Sequence, residues 1–560
     1  MDREAGLAWG KPKRLEAARG LQGVRPMSDG HLAREEPVLP LEDIQGIVVP
    51  GFFKPHQTLM GVTCSDKPDA IRAFKDFLGA TAGEIATAAR TLEDRRQFRA
   101  KRTARARSGS NTVLTAVGFT YPGLLKLTPG ASAIPSEAFR QGLAARSAFL
   151  GDPTDPKDEG SPDNWKVGGT GGDLDAMFVV AGDTRAAVDA LAGQLRERIK
   201  AAGLKIPYTE DGDVRADLPG HEHFGFDDGI SQPGIRGRAS DAADDFITDR
   251  HISDKQEPEH SLFGYPGQDL VWPGVLVLGH SATGPDPLMP GPPSPATPDW
   301  TRNGSFLVFR RLRQDVGLFW RTMRLEAERL AGIPGFEGMT DDVLASRLVG
   351  RWPSGAPVNR VPQRDDDKLG NDKLANNYFR FDSDATALPL QSGQVDPFPQ
   401  SKADPAGITC PWAAHIRKVN TRDSSSDTGG RDSTYARRLL RVGVPFGKPL
   451  KDRYAQKKDD PQKGERGLLF LSIQASIDDQ FEFLTARWMG DPSRPKMPGG
   501  HDLLVGQNDA PGEGRVRRCV VYGSAMQQAS VATDAQWIIP TGGGYFFVPS
   551  LTALSFVLSK

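Results

Sequence analysis

His221-Glu222-His223-Phe224-Gly225-Phe226-Asp227-Asp228-Gly229-Ile230-Ser231-Gln232-Pro233 sets two adjacent acids on a short turn with a glycine on either side. Gly225 and Gly229 supply the backbone freedom that a tight turn requires. Longer ordered segments flank the turn, so it joins the two parts of the chain. Paired acids at such a junction are candidates for proton transfer, and what they do depends on the partners the rest of the chain supplies.

The composition narrows the classes. A chain of 560 residues, 38% hydrophobic and 25% charged, has material for two or more domains with large cores. Its 70 basic and 71 acidic side chains leave a formal charge of −1, which removes the electrostatic case for nucleic acid or an anionic membrane as partner. The 62 glycines and 44 prolines imply many or long loops. Cys64, Cys410 and Cys519 are too few and too widely spaced for a disulfide framework or a thiolate metal site, and no CxxCH offers covalent haem attachment. No apolar run approaches the roughly 18 residues that span a bilayer. The first twenty residues contain no apolar core of a signal peptide, and Lys13-Arg14 is not a twin-arginine signal. A cytoplasmic location is expected.

Outward from the turn, the upstream part divides into a flexible extension, 1–38, and a domain, 39–225. The extension is charged and aperiodic, and Met27 offers a second start. Residues 59–64, 112–120 and 176–181 read as strands. Ile71, Phe74, Phe77 and Leu78 share one helical face, and Val188, Leu191, Leu195 and Ile199 share another. The mixture matches a β-α-β-β-α-β unit. Residues 211–222 have the length and several acids of a calcium loop, but Arg215 and Ala216 break its pattern. Downstream, 226–560 repeats the mixture. Residues 304–309, 467–474 and 545–549 read as strands, the last entered through Gly542-Gly543-Gly544; one helix runs from Val316, and another sets Phe481, Leu484 and Trp488 on one face. The expected fold is α+β, two ferredoxin-like units packed through antiparallel sheets.

Three later segments carry chemistry. Cys410-Pro-Trp-Ala-Ala-His415-Ile-Arg417-Lys418-Val-Asn420 holds a histidine suited to a haem iron, with Arg417 and Lys418 placed to neutralise the two haem propionates. A lone histidine is otherwise most simply a satisfied core residue. Arg438-Leu-Leu-Arg441-Val-Gly-Val-Pro-Phe-Gly447 puts an arginine before a turn, where it could equally be a surface charge. In Gln474-Ala-Ser-Ile-Asp478-Asp479-Gln-Phe481 the two acids open a helix, a position that helix-dipole stabilisation alone explains.

Together with Gly225-Phe226-Asp227-Asp228-Gly229 these segments follow the order found in the dye-decolorising peroxidases. The chain resembles that family from about Leu41 to its end, including Gly350 to Pro357 and the closing GGGYFFVPS, and in length is closer to its fungal-type branch. The resemblance implies a dimeric α+β barrel fold with haem b in the C-terminal half. It implies His415 as the iron ligand and Asp478 as the acid on that histidine's far nitrogen. Asp228, directly before Gly229, would accept the proton of hydrogen peroxide, and Arg441 would stabilise the developing anion. Leu468 and Phe470 would wall the distal pocket, though plain core packing explains them as well. The implied activity is oxidation of dyes, phenols and other aromatic donors in one-electron steps through a ferryl state, best in mildly acidic buffer. Tyrosines or tryptophans would relay electrons from donors too bulky to enter.

Two other readings compete. His221 and His223 with Asp227 or Asp228 form a possible divalent-metal cluster of a hydrolase. Alternatively the fold stores or carries haem without catalysis.

Overall fold

The β-branched and aromatic runs become strands of one sheet. A computed structural model describes residues 36–103, 111–172, 174–456, 460, 464–497, 499–509 and 515–560. Four strands come from the first half: β1 (His56–Thr63), β2 (Val113–Phe119), β3 (Ala176–Gly182) and β4 (Lys205–Asp213). Five come from the second: β5 (Ser305–Gln314), β6 (Leu440–Arg441), β7 (Val444–Phe446), β8 (Gly467–Gln474) and β9 (Ile538–Val548). Their order is β6-β8-β5-β9-β2-β3-β1-β4, with β7 also on β8, and every pairing is antiparallel. The two halves therefore share one sheet, joined where Phe547 of β9 pairs with Phe119 of β2. Its far edges meet. Gly212 of β4 lies so close to β7 that a Cβ would stand 2.2 Å from Val444 Cγ1, which curls the sheet into a barrel.

Alternation along each strand sorts the side chains. Leu114, Ala116, Met177, Val179, Leu307, Phe309, Leu469 and Leu471 point to one face and form the inner core. Val117, Phe119, Phe178, Phe306 and Val308 point to the other. There they meet Phe74 and Phe77 of α1 (Pro68–Thr81) and Val188 and Leu195 of α2 (Arg185–Ala201). Each such apolar side chain gains about 1.5–3 kcal/mol on burial. A third cluster forms around α3 (Val316–Ala331), whose Phe319, Trp320 and Met323 pack with Phe224 and Phe226 of the acidic turn. Two more helices, α4 (His415–Val419) and α5 (Ile477–Met489), complete the surroundings of the site.

Several elements differ from the sequence expectation. The calcium-loop look-alike, already rejected on Arg215 and Ala216, differs only in beginning inside β4, where Asp213 is taken by His56 and Arg185. The helix Ala88–Thr103 is charged around its circumference and carries no apolar stripe to announce it. The glycines 542–544 lie within β9 rather than before it. Gly543 (φ +152°) passes β5 so closely that a Cβ would be 2.3 Å from the Phe309 carbonyl, and the register shifts there. Most of the expected flexible extension, residues 1–35, lies outside the described residues. Glu36 is already buried, its carboxylate held by Arg250 at 2.6 Å and 2.8 Å.

Candidate active site

Glu222 builds the turn. Its half-buried carboxylate accepts the backbone N–H groups of Phe224 (2.8 Å) and Phe226 (2.9 Å), and the Gln314 amide as well. The Phe226 carbonyl accepts the Glu222 N–H at 3.0 Å, closing the loop. Phe224 packs on Phe319 with ring centroids 4.4 Å apart and planes tilted by 31°, and Trp320 donates its indole N–H to the Phe224 carbonyl. The two acids that follow are thus displayed from a turn fixed to α3. Gly229 (φ +86°) completes it in a conformation other residues rarely adopt.

Asp228 faces a cavity and accepts hydrogen bonds from Arg441 Nη1 at 2.7 Å and its neighbour Gly229 N at 2.6 Å. Burial raises the cost of its charge, but the Arg441 charge and hydrogen bond, the Gly229 N–H and His415 together hold its carboxyl below the ordinary value. Arg441 belongs to β6, whose pairing with β8 fixes its backbone. Gln232 clamps that backbone again, donating to the Arg441 carbonyl (3.0 Å) and accepting its N–H (3.1 Å). The same short stretch therefore carries Asp228 and the clamp on its partner.

His415 opens α4 and lines the same cavity. Its Nδ1 lies 2.7 Å from Asp502 Oδ2. Asp502 is fully buried, and its other oxygen accepts the N–H groups of Leu504 (2.9 Å) and Val505 (3.1 Å). Burial opposes the charge, yet His415 and these donors keep the Asp502 carboxyl low and ionised. An ionised acceptor on Nδ1 fixes the proton there and leaves Nε2 as a bare donor for a metal.

This corrects the expected partner. Asp478 sits instead at the start of α5, accepting Ser136 Oγ (2.8 Å) and Ala138 N (3.2 Å). Its neighbour Asp479 bonds Ser476 in the first turn of that helix. A signal for Asp502 existed in the sequence: one acid set in the apolar run His501-Asp502-Leu503-Leu504-Val505. A buried acid there must find donors.

Arg417 is also corrected. Two residues along a helix turn about 200°, so Arg417 points away from His415. It is fully buried, bonded to the carbonyls of Cys410 (2.7 Å) and Asp404 (2.9 Å) and packed between Trp412 and Phe381. Lys418 is likewise occupied, by the carbonyls of Asp491 and Arg494. The cations that line the cavity are Arg310, Arg351, Arg422, Arg437, Arg438 and Arg441.

Leu468 and Phe470 both line the cavity, on the side of β8 opposite Leu469 and Leu471. Phe470 also packs on Phe481 at 6.2 Å. Asp227 lines it too. Burial lifts the Asp227 carboxyl to about 6, with His221 opposing and Asp228 adding to the effect.

The cavity encloses about 1820 Å³ of atom-free space, its mouth included. The residues fit a haem. They offer an imidazole with Nδ1 engaged and Nε2 unbonded, apolar walls, and arginines for carboxylates. Among the described residues, Arg310, Arg437 and Arg438 each keep a buried Nε without an acceptor, which suits a bound anionic edge. The competing metal cluster does not assemble. The buried His223 donates Nε2–H to the Phe446 carbonyl at 2.8 Å, and His221 Nδ1 meets the Pro219 carbonyl at 3.0 Å. Among the described residues no three metal-ligating side chains converge.

Comparison with known proteins places this geometry. The model of the DyP dimeric alpha+beta barrel domain matches residues 43–216. A dye-decolorising peroxidase of Mycetinis scorodonius is 29% identical over 531 residues, covering 93% of this chain and 88% of that protein. One from Auricularia auricula-judae is 31% identical over 409 residues, 71% of this chain and 68% of the other. The structure of an ancestral D-type dye-decolorising peroxidase superposes with a TM-score of 0.72 at 29% identity, over 93% of this chain and 100% of that one. A dye-decolorising peroxidase in complex with 2,6-dimethoxyphenol superposes at 0.69 with 26% identity, over 93% and 100%. With sheet, cavity and relatives in agreement over nearly the whole described chain, the protein belongs to the dye-decolorising peroxidase family and is a peroxidase that oxidises its donors with hydrogen peroxide.

Proposed function

We propose that the cavity would bind haem b through His415 Nε2, and that Asp228 and Arg441 process hydrogen peroxide in the same cavity. The observation that carries this is the meeting of two pairs, His415–Asp502 and Asp228–Arg441, in one cavity. When bound, haem supplies the two-electron oxidising chemistry. The chain's own residues hold and move protons. Ionised Asp228 takes the proton from the attacking peroxide oxygen and returns it to the departing one, which leaves as water. Arg441 offsets the negative charge that builds up as the O–O bond breaks. Asp502 keeps the His415 proton on Nδ1 and the imidazole electron-rich.

Over one turnover, one peroxide accepts two electrons and two protons from two donor molecules and yields two waters. The proposed donors are phenols, other aromatics and dyes, a class supported by the related enzyme's complex with 2,6-dimethoxyphenol. The C-terminal half supplies His415, Arg441 and Asp502, and so serves as the haem-binding unit. For the propionates the proposal replaces Arg417 with Arg437 and Arg438, whose Nε groups await acceptors. A cytoplasmic site is retained as part of the proposal, supported by three cysteines that are buried and unpaired. No helix among the described residues is long and apolar enough to cross a membrane.

The test is peroxide-dependent oxidation of 2,6-dimethoxyphenol by haem-loaded protein. The expected result is saturable turnover that collapses in Asp228→Asn. Haem binding with turnover indifferent to both Asp228 and Arg441 would support a haem carrier instead.

A further inference from the structure

Asp502 reaches His415 from an irregular turn that cannot satisfy its own backbone. The Gly506 N–H closes the turn on the Asp502 carbonyl at 3.1 Å, and Asp502 Oδ1 takes the N–H groups of Leu504 and Val505. This leaves the carbonyls of Leu503 and Gly506, both buried residues, to be satisfied from outside the turn. Buried acceptors without donors are costly.

Arg517 supplies both. Its Nη1 donates to the Leu503 carbonyl at 2.9 Å and to the Gly506 carbonyl at 2.9 Å, and its Nη2 donates to the Ala535 carbonyl. The side chain is fully buried and backed by Trp537, whose ring centroid lies 5.8 Å away. A planar guanidinium holds several acceptors in one fixed arrangement, which an ammonium does not. Burial lowers its value to about 10 against the opposing pull of Asp502 and Asp534, so it remains a cation near neutral pH.

The backbone of Arg517 is itself tied to the turn. It opens the strand Arg517–Tyr522, which pairs antiparallel with Gln528–Thr533. The next residue, Arg518, accepts the His501 N–H at 2.7 Å and donates its own N–H to His501 Nδ1 at 3.1 Å. On the other side the Asp502 N–H meets the Met489 carbonyl at 3.1 Å. Asp502 is thus fixed between the end of α5 and this hairpin. Lys418, the other buried cation on which Asp502 acts, is held by the carbonyls of Asp491 and Arg494, outside the turn.

We infer that Arg517 is a positioning residue for the peroxidase reaction: by fastening the turn 502–506 it holds the Asp502 carboxylate at hydrogen-bond distance from His415 Nδ1. Arg517 does not line the cavity, and it acts through Asp502. Hydrogen bonds weaken steeply as their geometry is lost, and a weaker bond at Nδ1 leaves His415 a poorer electron donor at Nε2. The inference rests on the reading of His415 as the iron ligand.

The test is a double-mutant cycle on haem-loaded protein, read as the reduction potential and as the iron–histidine stretching frequency of the ferrous form. Arg517→Lys keeps a buried cation and loses the fork. It should raise the potential and lower the stretching frequency, in the same sense as Asp502→Asn, and weaken haem binding by the apoprotein about tenfold. In the Asp502→Asn background it should move neither spectroscopic quantity further. Arg360→Lys, an equally buried guanidinium on the carbonyls of Ala375 and Pro399, should lose stability and leave both at their wild-type values. Should Arg517→Lys not fold, Gly506→Ala carries the test. Its Cβ would stand 2.5 Å from the Asp502 and Met489 carbonyl oxygens, so it displaces the same turn and should shift both quantities in the same sense. Wild-type values in the turn variants, or shifts that add in full to those of Asp502→Asn, would overturn the inference and leave His415 as the ligand. Wild-type values in Asp502→Asn itself would overturn the reading of the His415–Asp502 pair and this inference with it.

Discussion

Arg441 Nη1 stands 2.7 Å from Asp228 Oδ1, and this contact, with the Gly229 N–H and His415, outweighs the effect of burial and holds the carboxyl below its ordinary value. The sign of the pH dependence follows. An acid whose folded value is depressed is charged above that value, so the proton acceptor persists as pH falls below the usual carboxylate range near about 4. The stability the pair contributes is full above the unfolded value and is lost as pH falls through the depressed one. Stopped-flow rates with peroxide should therefore hold into mildly acidic buffer. Arg441→Leu should move the acid limb upward, and Asp228→Asn should lower the peroxide rate by about 10²–10⁴-fold at pH values above that limb, the gap closing below it.

Asp502 and Asp478 can be told apart. Asp502→Asn removes the charge from His415 Nδ1 while keeping the shape, and should cost about 10–100-fold in haem affinity or activity with an altered haem band. Asp478→Asn leaves His415 untouched. It should leave the spectrum unchanged and lower stability by about 1 kcal/mol, through the weakened contacts with Ser136 and Ala138.

Gln232 is a positioning residue. Its amide makes two hydrogen bonds to the Arg441 backbone, so Gln232→Ala should loosen the guanidinium without touching haem. The peroxide rate should fall about tenfold, while haem affinity stays at the wild-type value in a titration of the apoprotein.

The sequence made the frame of this site legible. Apolar runs foretold β3 and β8, which are buried along most of their length, and helical spacing foretold the apolar faces of α1 and α2, each of which buries one side against the core. Asp228, Gly229, Arg441 and His415 stood in short motifs whose chemistry is local. The far partner of His415 was not legible, since it is set by how residues 499–505 return beneath α4, 87 positions away in the chain. Asp478 was expected there because its segment resembles the family's, and the structure gives it instead the start of a helix and the donors Ser136 and Ala138. Arg417 failed for a rotational reason: proximity in sequence to His415 placed it on the opposite side of a helical turn. The helix Ala88–Thr103 and the strand β4 lacked a clean pattern, being charged or half-exposed along their length.

Asp227 has the opposite behaviour from its neighbour. Burial lifts its carboxyl to about 6, so the folded protein holds this proton more tightly than the unfolded chain does. Stability from this group is present in acid and is lost as pH rises through about 6. Asp227→Asn should match wild type near pH 4 and exceed it by about 1 kcal/mol at pH 8, a figure reduced from the full shift because the side chain is partly exposed. Guanidinium unfolding at the two pH values measures it.

The most direct test of the account is the visible absorption spectrum of haem-loaded protein beside His415→Ala and Asp502→Asn. An intense haem band that shifts on adding peroxide is predicted for the wild type, altered in Asp502→Asn and lost or displaced in His415→Ala. A His415→Ala variant that binds haem with the wild-type spectrum and the same response to peroxide would contradict it.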